Sequence, residues 1–334
     1  MPNKAADQEL KAPDQELDAY LRLNRASPRE WLVALRALSG WDGVECRLGT
    51  GGGTAGALSA LTSGLGRVVC IHASQDMEIT GRSAPGPVLL LPRAGDPAIS
   101  RQDKPWQPML HLMAARSSDR FRLRLPRNGR VMILRPAAGI PDSLIRDEGG
   151  KRLADCQDLI TAYLLNSPFF RDDAHARELT DDLFRQLAAT ASNEGAPPRR
   201  RPGLDRRIVR MIEKIRQEPA WDFNLRELAS HSGVSERNLY YLMKRETGTT
   251  PYRFYQRNRL IRVRRRLVDC QCEVPHISWY AADEGFSHLG RFAALYREHF
   301  GELPSETVQW RRSLRHRKPV SAPALALDRI PERQ

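Results

Sequence analysis

The chain has 334 residues, 41% hydrophobic and 28% charged, with a formal net charge of +13. That length suits two domains with packed cores, and the basic excess points to a phosphate-bearing partner. The polar, acidic start Met1 to Leu10 does not read as a signal peptide, and the longest aliphatic run, Val88 to Leu91, is too short for a membrane span, so the expected compartment is the cytoplasm.

Residues 1–25 read as a flexible N-terminus. They carry the tetrad Asp-Gln-Glu-Leu twice, at 7–10 and 14–17, and two leucines seven apart, Leu10 and Leu17, are too few for a coiled coil. A helix is predicted from Pro28 to Leu38, with Ser27 as its cap, proline at its first position and Gly40 beyond its end.

Residues 26–192 are expected to form a β-rich domain that senses an effector and dimerises. From Val44 to about Ile145 the chain breaks into short β-like runs, Val68–Ile71, Val88–Leu91, Phe121–Leu125 and Val131–Leu134, separated by glycine and proline. Asn128-Gly129 is the preferred two-residue hairpin turn and predicts that the last two runs pair. The expected fold is a small antiparallel barrel or sandwich with flanking helices over 151–192. There Leu153, Ile160 and Leu164 form one apolar stripe, and Ala176, Leu179, Leu183 and Leu187 another, broken at Ser167-Pro168. Such stripes serve as core or as the face of a homodimer.

Two rival chemistries fall in this region. Gly51 to Gly56 satisfies G-x-G-x-x-G with Asp76 about 20 residues on, the pattern of a dinucleotide site. The preceding run, Val44 to Leu48, carries two charges where a buried parallel strand is apolar, and no βαβ alternation follows. His72 and His111 lack the His-x-His spacing of a cupin metal site, and no nucleophile or acid–base grouping has a motif behind it. No cofactor, metal or catalytic residue is therefore assigned, and the chain is read as a non-enzyme. The five cysteines have no framework spacing, which suits a reducing compartment; Cys270-Gln-Cys272 with His276 is better read as small residues in a connector than as a metal clip.

Residues 193–203, with Pro197-Pro-Arg-Arg-Arg-Pro-Gly203, form a linker. Beyond it the charge changes. Residues 199–318 hold 26 basic and 14 acidic side chains, against 25 and 24 in residues 1–198. A polyanion-binding surface belongs to residues 204–312. Within them, 224–248 reads as two helices joined at Ser232-Gly233. Asn224 and Ser235 are their caps, Leu225, Leu228 and Ala229 form one stripe, and Leu239, Leu242 and Met243 the other. The pattern returns over 276–301: Leu228-Ala229 matches Tyr280-Ala281, Gly233-Val-Ser235 matches Gly285-Phe-Ser287, and Gly248-Thr-Thr-Pro251 matches Gly301-Glu-Leu-Pro304. A duplicated helix-turn-helix is stronger than either copy alone.

These residues, with Tyr252, Arg259-Leu260, Ile277, Phe292, Phe300 and Ser305, resemble the DNA-binding domain of the AraC/XylS family of bacterial transcription regulators. The resemblance covers about a third of the chain. Tyr280 stands where the family has an aliphatic residue. The resemblance implies promoter DNA and RNA polymerase as partners and a small-molecule effector for the N-terminal domain, matched there in architecture only. The alternatives are an N-terminal domain that only dimerises or binds a protein, or a nucleotide-binding enzyme domain fused to a DNA-binding one. Ser235, Arg237, Asn238, Tyr240 and Tyr241 in the first unit, and Ser287, His288, Leu289, Arg291 and Ala294 in the second, are the expected DNA-facing residues. Between the units a helix from Pro251 to Leu267 points Leu260, Val263 and Leu267 inward and Arg257, Arg262, Arg265 and Arg266 outward, with Arg257, Arg262 and Arg265 expected on phosphates. Residues 313–334 read as a disordered tail.

Overall fold

The computed structural model describes residues 17–49, 53–82, 88–115, 120–137, 144, 150–192, 205–272 and 274–316. The expected flexibility of residues 1–16, the 193–203 linker and the tail beyond 316 lies outside them, as do Gly51 and Gly52.

The N-terminal part is an α+β unit built on two antiparallel sheets. One runs β1 (Leu21–Leu23), β3 (Gly56–Thr62), β4 (Gly66–Ala73), β11 (Arg130–Pro136), β6 (Val88–Ala94) and β9 (Met113–Ala115). The other runs β2 (Asp42–Leu48), β5 (Met77–Arg82), β10 (Arg120–Leu125), β7 (Ala98–Arg101) and β8 (Gln107–Pro108). They face one another as a sandwich. Helix α1 (Pro28–Ser39) packs against this unit, its first turn closed by a capping box in which Ser27 accepts from the Glu30 amide and Glu30 reaches back to Ser27.

Burial explains the apolar runs. In β11, Val131 and Ile133 enter the core between the sheets while Met132 and Leu134 face α2 (Lys151–Asn166) and α3 (Asp173–Ser192). Likewise Leu90 of β6 points between the sheets and Leu89 and Leu91 point toward the helices. A strand covered on both faces must be apolar at every position. In β10 only Phe121, Leu123 and Leu125 are inward; Arg122 and Arg124 lie outside, held by Glu78 at 3.0 and 3.4 Å and stacked over Trp106 at 4.9 and 4.2 Å.

Four expectations are corrected here. Asn128-Gly129 is no hairpin: β10 and β11 belong to different sheets, and the turn, with Asn128 at φ 63 and Gly129 donating to the Pro126 carbonyl at 2.7 Å, carries the chain from one sheet to the other. Burial of β11 between β4 and β6 outweighs local pairing. The stripes on α2 and α3 are not a free dimer face, because Leu153, Ile160, Leu164, Ala176, Leu183 and Leu187 are buried against each other and the first sheet. Residues 17–25 are ordered: Tyr20, Leu21 and Leu23 are 2%, 2% and 0% exposed, and β1 is an edge strand. The last helix continues through His316, placing Leu314 in the sandwich core.

The glycine-rich segment adjoins no βαβ unit. Strand β2 pairs antiparallel with β5, and the Asp76 side chain accepts from the Arg127 amide at 2.6 Å, tying two loops together. His72 sits in β4, half-buried, and burial, with the Arg130 charge adding to it, lowers its pKa to about 4.

Candidate nucleic-acid interface

The C-terminal part is all helical: α4 (Arg206–Gln217), α5 (Leu225–Ser232), α6 (Glu236–Thr247), α7 (Pro251–Asp269), α8 (Ile277–Asp283), α9 (Leu289–Phe300) and α10 (Pro304–His316). The two helix-turn-helix units repeat at the level of single backbone angles. Each inter-helix turn needs a left-handed residue, and glycine supplies it at Gly233 (φ 74) and at Gly285 (φ 73). The next amide then bonds five residues back, Val234 to Ala229 at 3.0 Å and Phe286 to Ala281 at 2.9 Å. The second helices end alike at Gly248 (φ 71) and Gly301 (φ 72).

The copies differ at their entry. Asn224 caps α5 by accepting from the Glu227 amide at 3.1 Å, and Ser235 caps α6 by accepting from the Asn238 amide at 3.3 Å. Helix α9 has His288 at its cap position with no side-chain bond. Below, Leu239, Leu242 and Met243 are buried in the first unit, and Phe292 and Tyr296 in the second.

The opposite faces are open. Arg237, Asn238, Tyr240 and Tyr241 are exposed, the tyrosines by 43% and 58%, and the Arg237 guanidinium lies 5.6 Å from the Tyr241 ring. Tyr240 and Tyr241 meet edge to face at 6.0 Å, which holds two flat, amphipathic side chains upright at the start of the helix. Ser235 is exposed, with its hydroxyl engaged in the cap. In the second unit Ser287, His288, Leu289, Arg291 and Ala294 are all exposed, Leu289 by 48%. All ten of these side chains are thus uncovered, on α6 and α9 or just before their first turns.

The arginines expected on phosphates are placed differently. Arg257 is buried, 3% exposed. Arg262 pairs with Glu284 at 2.7 Å, and Arg265 pairs with Asp18 in the N-terminal segment. Arg266 is held at the surface between Asp283 at 2.9 Å and the Tyr280 ring at 4.5 Å. These side chains knit α7 to its neighbours, so none presents a free guanidinium outward. The sequence carried a signal for this. Arg257 and Arg264 lie three residues before and four after Leu260, which puts them on its buried face.

Sequence reading also missed Arg264 and Arg311. Arg264 is fully buried, its guanidinium donating to the Leu21 carbonyl at 3.2 Å and pairing with Glu302 at 2.8 Å over the Phe300 ring. Arg311, 1% exposed, donates to the Val268 and Asn24 carbonyls at 2.8 and 3.2 Å and reaches Glu30 at 3.4 Å. Two of these contacts, Leu21 and Asn24, belong to the N-terminal segment. The second unit is therefore docked on the sandwich, while its reading face stays open.

A helix-turn-helix domain family model matches residues 228–310. The XylDLEGF operon transcriptional activator 3 of Pseudomonas putida is 34% identical over 137 residues, 41% of this chain and 39% of that protein. The XylDLEGF operon transcriptional activator 2 of the same organism is 38% identical over 99 residues, 30% of this chain and 63% of that protein. The chain thus spans about two fifths of the first relative's length and under two thirds of the second's. Among solved structures, a probable AraC family transcriptional regulator from Rhodopseudomonas palustris is 31% identical, with a TM-score of 0.30, covering 31% of this chain and 96% of that one.

Proposed function

Since the chain belongs to the AraC/XylS family of transcription regulators, we propose that it binds promoter DNA through α6 and α9 and that its sandwich domain makes this binding respond to a small-molecule effector. One observation carries the reading: two equivalent helices, each buried on one side, present with the residues at their N-terminal ends ten uncovered side chains. Arg237 and Asn238 match guanine and adenine, whereas the second face offers His288 and Arg291 among Leu289, Gly290 and Ala294. Each good bidentate pair discriminates by about 1–3 kcal/mol, so α6 carries most of the base choice. RNA polymerase and a second copy of the chain complete the proposed partners. The copy would meet a surface other than the buried stripes of α2 and α3.

No membrane-crossing helix is found among the described residues. Phosphate contacts fall to exposed cations around the readers, such as Arg226, Lys244 and Arg253. Binding-site selection on full-length Arg237→Ala and Arg291→Ala tests the reading. The expected result is relaxed base preference in one half-site for Arg237→Ala and a weaker effect in the other for Arg291→Ala. A selected sequence left unchanged by both substitutions would sink direct readout, and a larger loss from Arg291→Ala would reverse the ranking.

A further inference from the structure

Helix α6 opens with Glu236 and Arg237, so Arg237 lies in its first turn, and Tyr241, one turn on, stands on the same face. The Arg237 guanidinium sits over the Tyr241 ring, 5.6 Å from its centroid, which is within the range of a cation–π contact. The ring is itself braced, since Tyr240 meets it edge to face with 88° between the planes. The cations on the next turn of α6 are engaged elsewhere: Lys244 donates to the Gly248 carbonyl at 3.3 Å, and Arg245 pairs with Glu246 at 2.8 Å. Among the described residues no carboxylate pairs with Arg237, so the ring is what orients it.

Core packing does not ask for a ring at this position. Leu239, Leu242 and Met243 fill the space beneath α6, while Tyr241 is exposed. The second reader supplies a comparison within the same chain. Leu239 and Met243 of α6 correspond to Phe292 and Tyr296 of α9, and all four are buried. In that register Gly290 stands where α6 has Arg237, and Ala294 stands where it has Tyr241. Helix α9 lacks both members of the pair, and its own Arg291 has Leu295 one turn on in place of an aromatic face. The ring occurs where the arginine occurs.

A long, flexible side chain loses rotamer freedom when it binds, and a guanidinium already resting on a ring has less of it to lose. Stacking leaves the in-plane N–H donors free. Bidentate reading of a base edge requires that plane to be fixed.

We propose that Tyr241 is a positioning residue for base choice: its ring holds the Arg237 guanidinium in the plane that reads a base edge. The first reader's discrimination thus depends on a side chain that acts through another. This rests on the reading of α6 as a base reader and adds what makes Arg237 selective. A cation–π contact at an exposed site changes an equilibrium constant by about two- to fivefold.

The test uses the full-length protein and the duplex recovered by binding-site selection on the wild type, with each base placed in turn at the position that Arg237→Ala relaxes. Fluorescence anisotropy at constant salt gives the preference for the selected base over the others. Tyr241→Leu, which keeps a good helix former on the surface, should cut that preference about two- to fivefold. Tyr241→Phe, which keeps the ring, should retain the wild-type preference. In an Arg237→Ala background, Tyr241→Leu should change nothing further at that position. Equal weakening on all the duplexes would make Tyr241 merely structural, and relaxation of a different position would make it a base contact of its own. Either result overturns the proposal, as does a preference unchanged in Tyr241→Leu or cut equally in Tyr241→Phe. If Arg237→Ala relaxes no position, the reading of α6 falls too; if Arg237→Ala relaxes one and Tyr241→Leu does not, the positioning alone falls.

Discussion

Replacing Glu302 by glutamine removes one charge from the joint between the sandwich and the second reader, and the cost follows from its surroundings. Glu302 pairs with Arg22 of β1 at 2.5 Å and with Arg264 of α7 at 2.8 Å, and it accepts from the Thr307 hydroxyl at 2.7 Å. Burial alone would raise its carboxyl, but the two guanidinium groups and that hydrogen bond lower its pKa from 4.5 to about 2. A depressed carboxyl contributes stability that is complete above the unfolded value near 4.5 and is lost as pH falls through about 2. The interval is worth about 3 kcal/mol at neutral pH, at roughly 1.4 kcal/mol per unit. Urea unfolding of wild type and Glu302→Gln at pH 7 and pH 3 measures it. The expected gap is about 3 kcal/mol at pH 7, shrinking by about 2 kcal/mol at pH 3, where the unfolded carboxyl is protonated while the folded one stays largely ionised. A gap below about 1 kcal/mol at neutral pH, or one of the same size at both, would refute the assignment. Hydrogen exchange should locate the loss in Tyr20–Leu23, which Arg22 and Arg264 anchor.

His299 is buried beside Arg257, and both effects lower its pKa from 6.5 to about 4. The unfolded chain then binds a proton that the folded chain refuses between those values, so stability falls as pH drops from 6.5 toward 4. His299→Gln should flatten that slope, and an unchanged slope in urea titrations would disprove the burial effect. Gly233→Ala should cost about 1–2 kcal/mol for its left-handed backbone alone. Gly285→Ala should cost more, since a Cβ there would lie 2.1 Å from an Arg259 guanidinium nitrogen; thermal unfolding that ranks them the other way would show that Arg259 moves aside freely.

How much of this was legible in the sequence depended on whether the deciding interaction was local. The helix-turn-helix units were, because Asn224, Ser235, Gly233 and Gly285 act within one or two turns of chain, and their caps and left-handed turns stand where the pattern put them. Helix α1 was legible for the same reason, through Ser27, Pro28 and Gly40. The pairing of β10 with β11 was misread because Asn128-Gly129 is a local signal, whereas the partners of β11 come from strands far away in sequence, and burial on both faces decided. The order in residues 17–25 was invisible since it rests on Arg264, Arg265 and Arg311, about 240 or more residues distant.

Buried arginines also change how the charge of the C-terminal part acts. Counting 26 basic against 14 acidic residues over 199–318 gives the net charge behind the field that steers a polyanion, to which buried and paired cations still contribute. Counterion release depends on which cations touch phosphates. Arg257, Arg264 and Arg311 are buried and so add to attraction at a distance rather than to contacts, while Arg262, Arg265 and Arg266 are held by carboxylates. Most of them hold α7 and α10 to β1 and to the neighbouring helices. Of the basic residues that the sequence offers for phosphate, Arg265 instead joins α7 to the N-terminal segment, beside Arg264 and Arg311. Arg264 and Arg311 each touch both parts at once, so a displacement of either part is felt by the other.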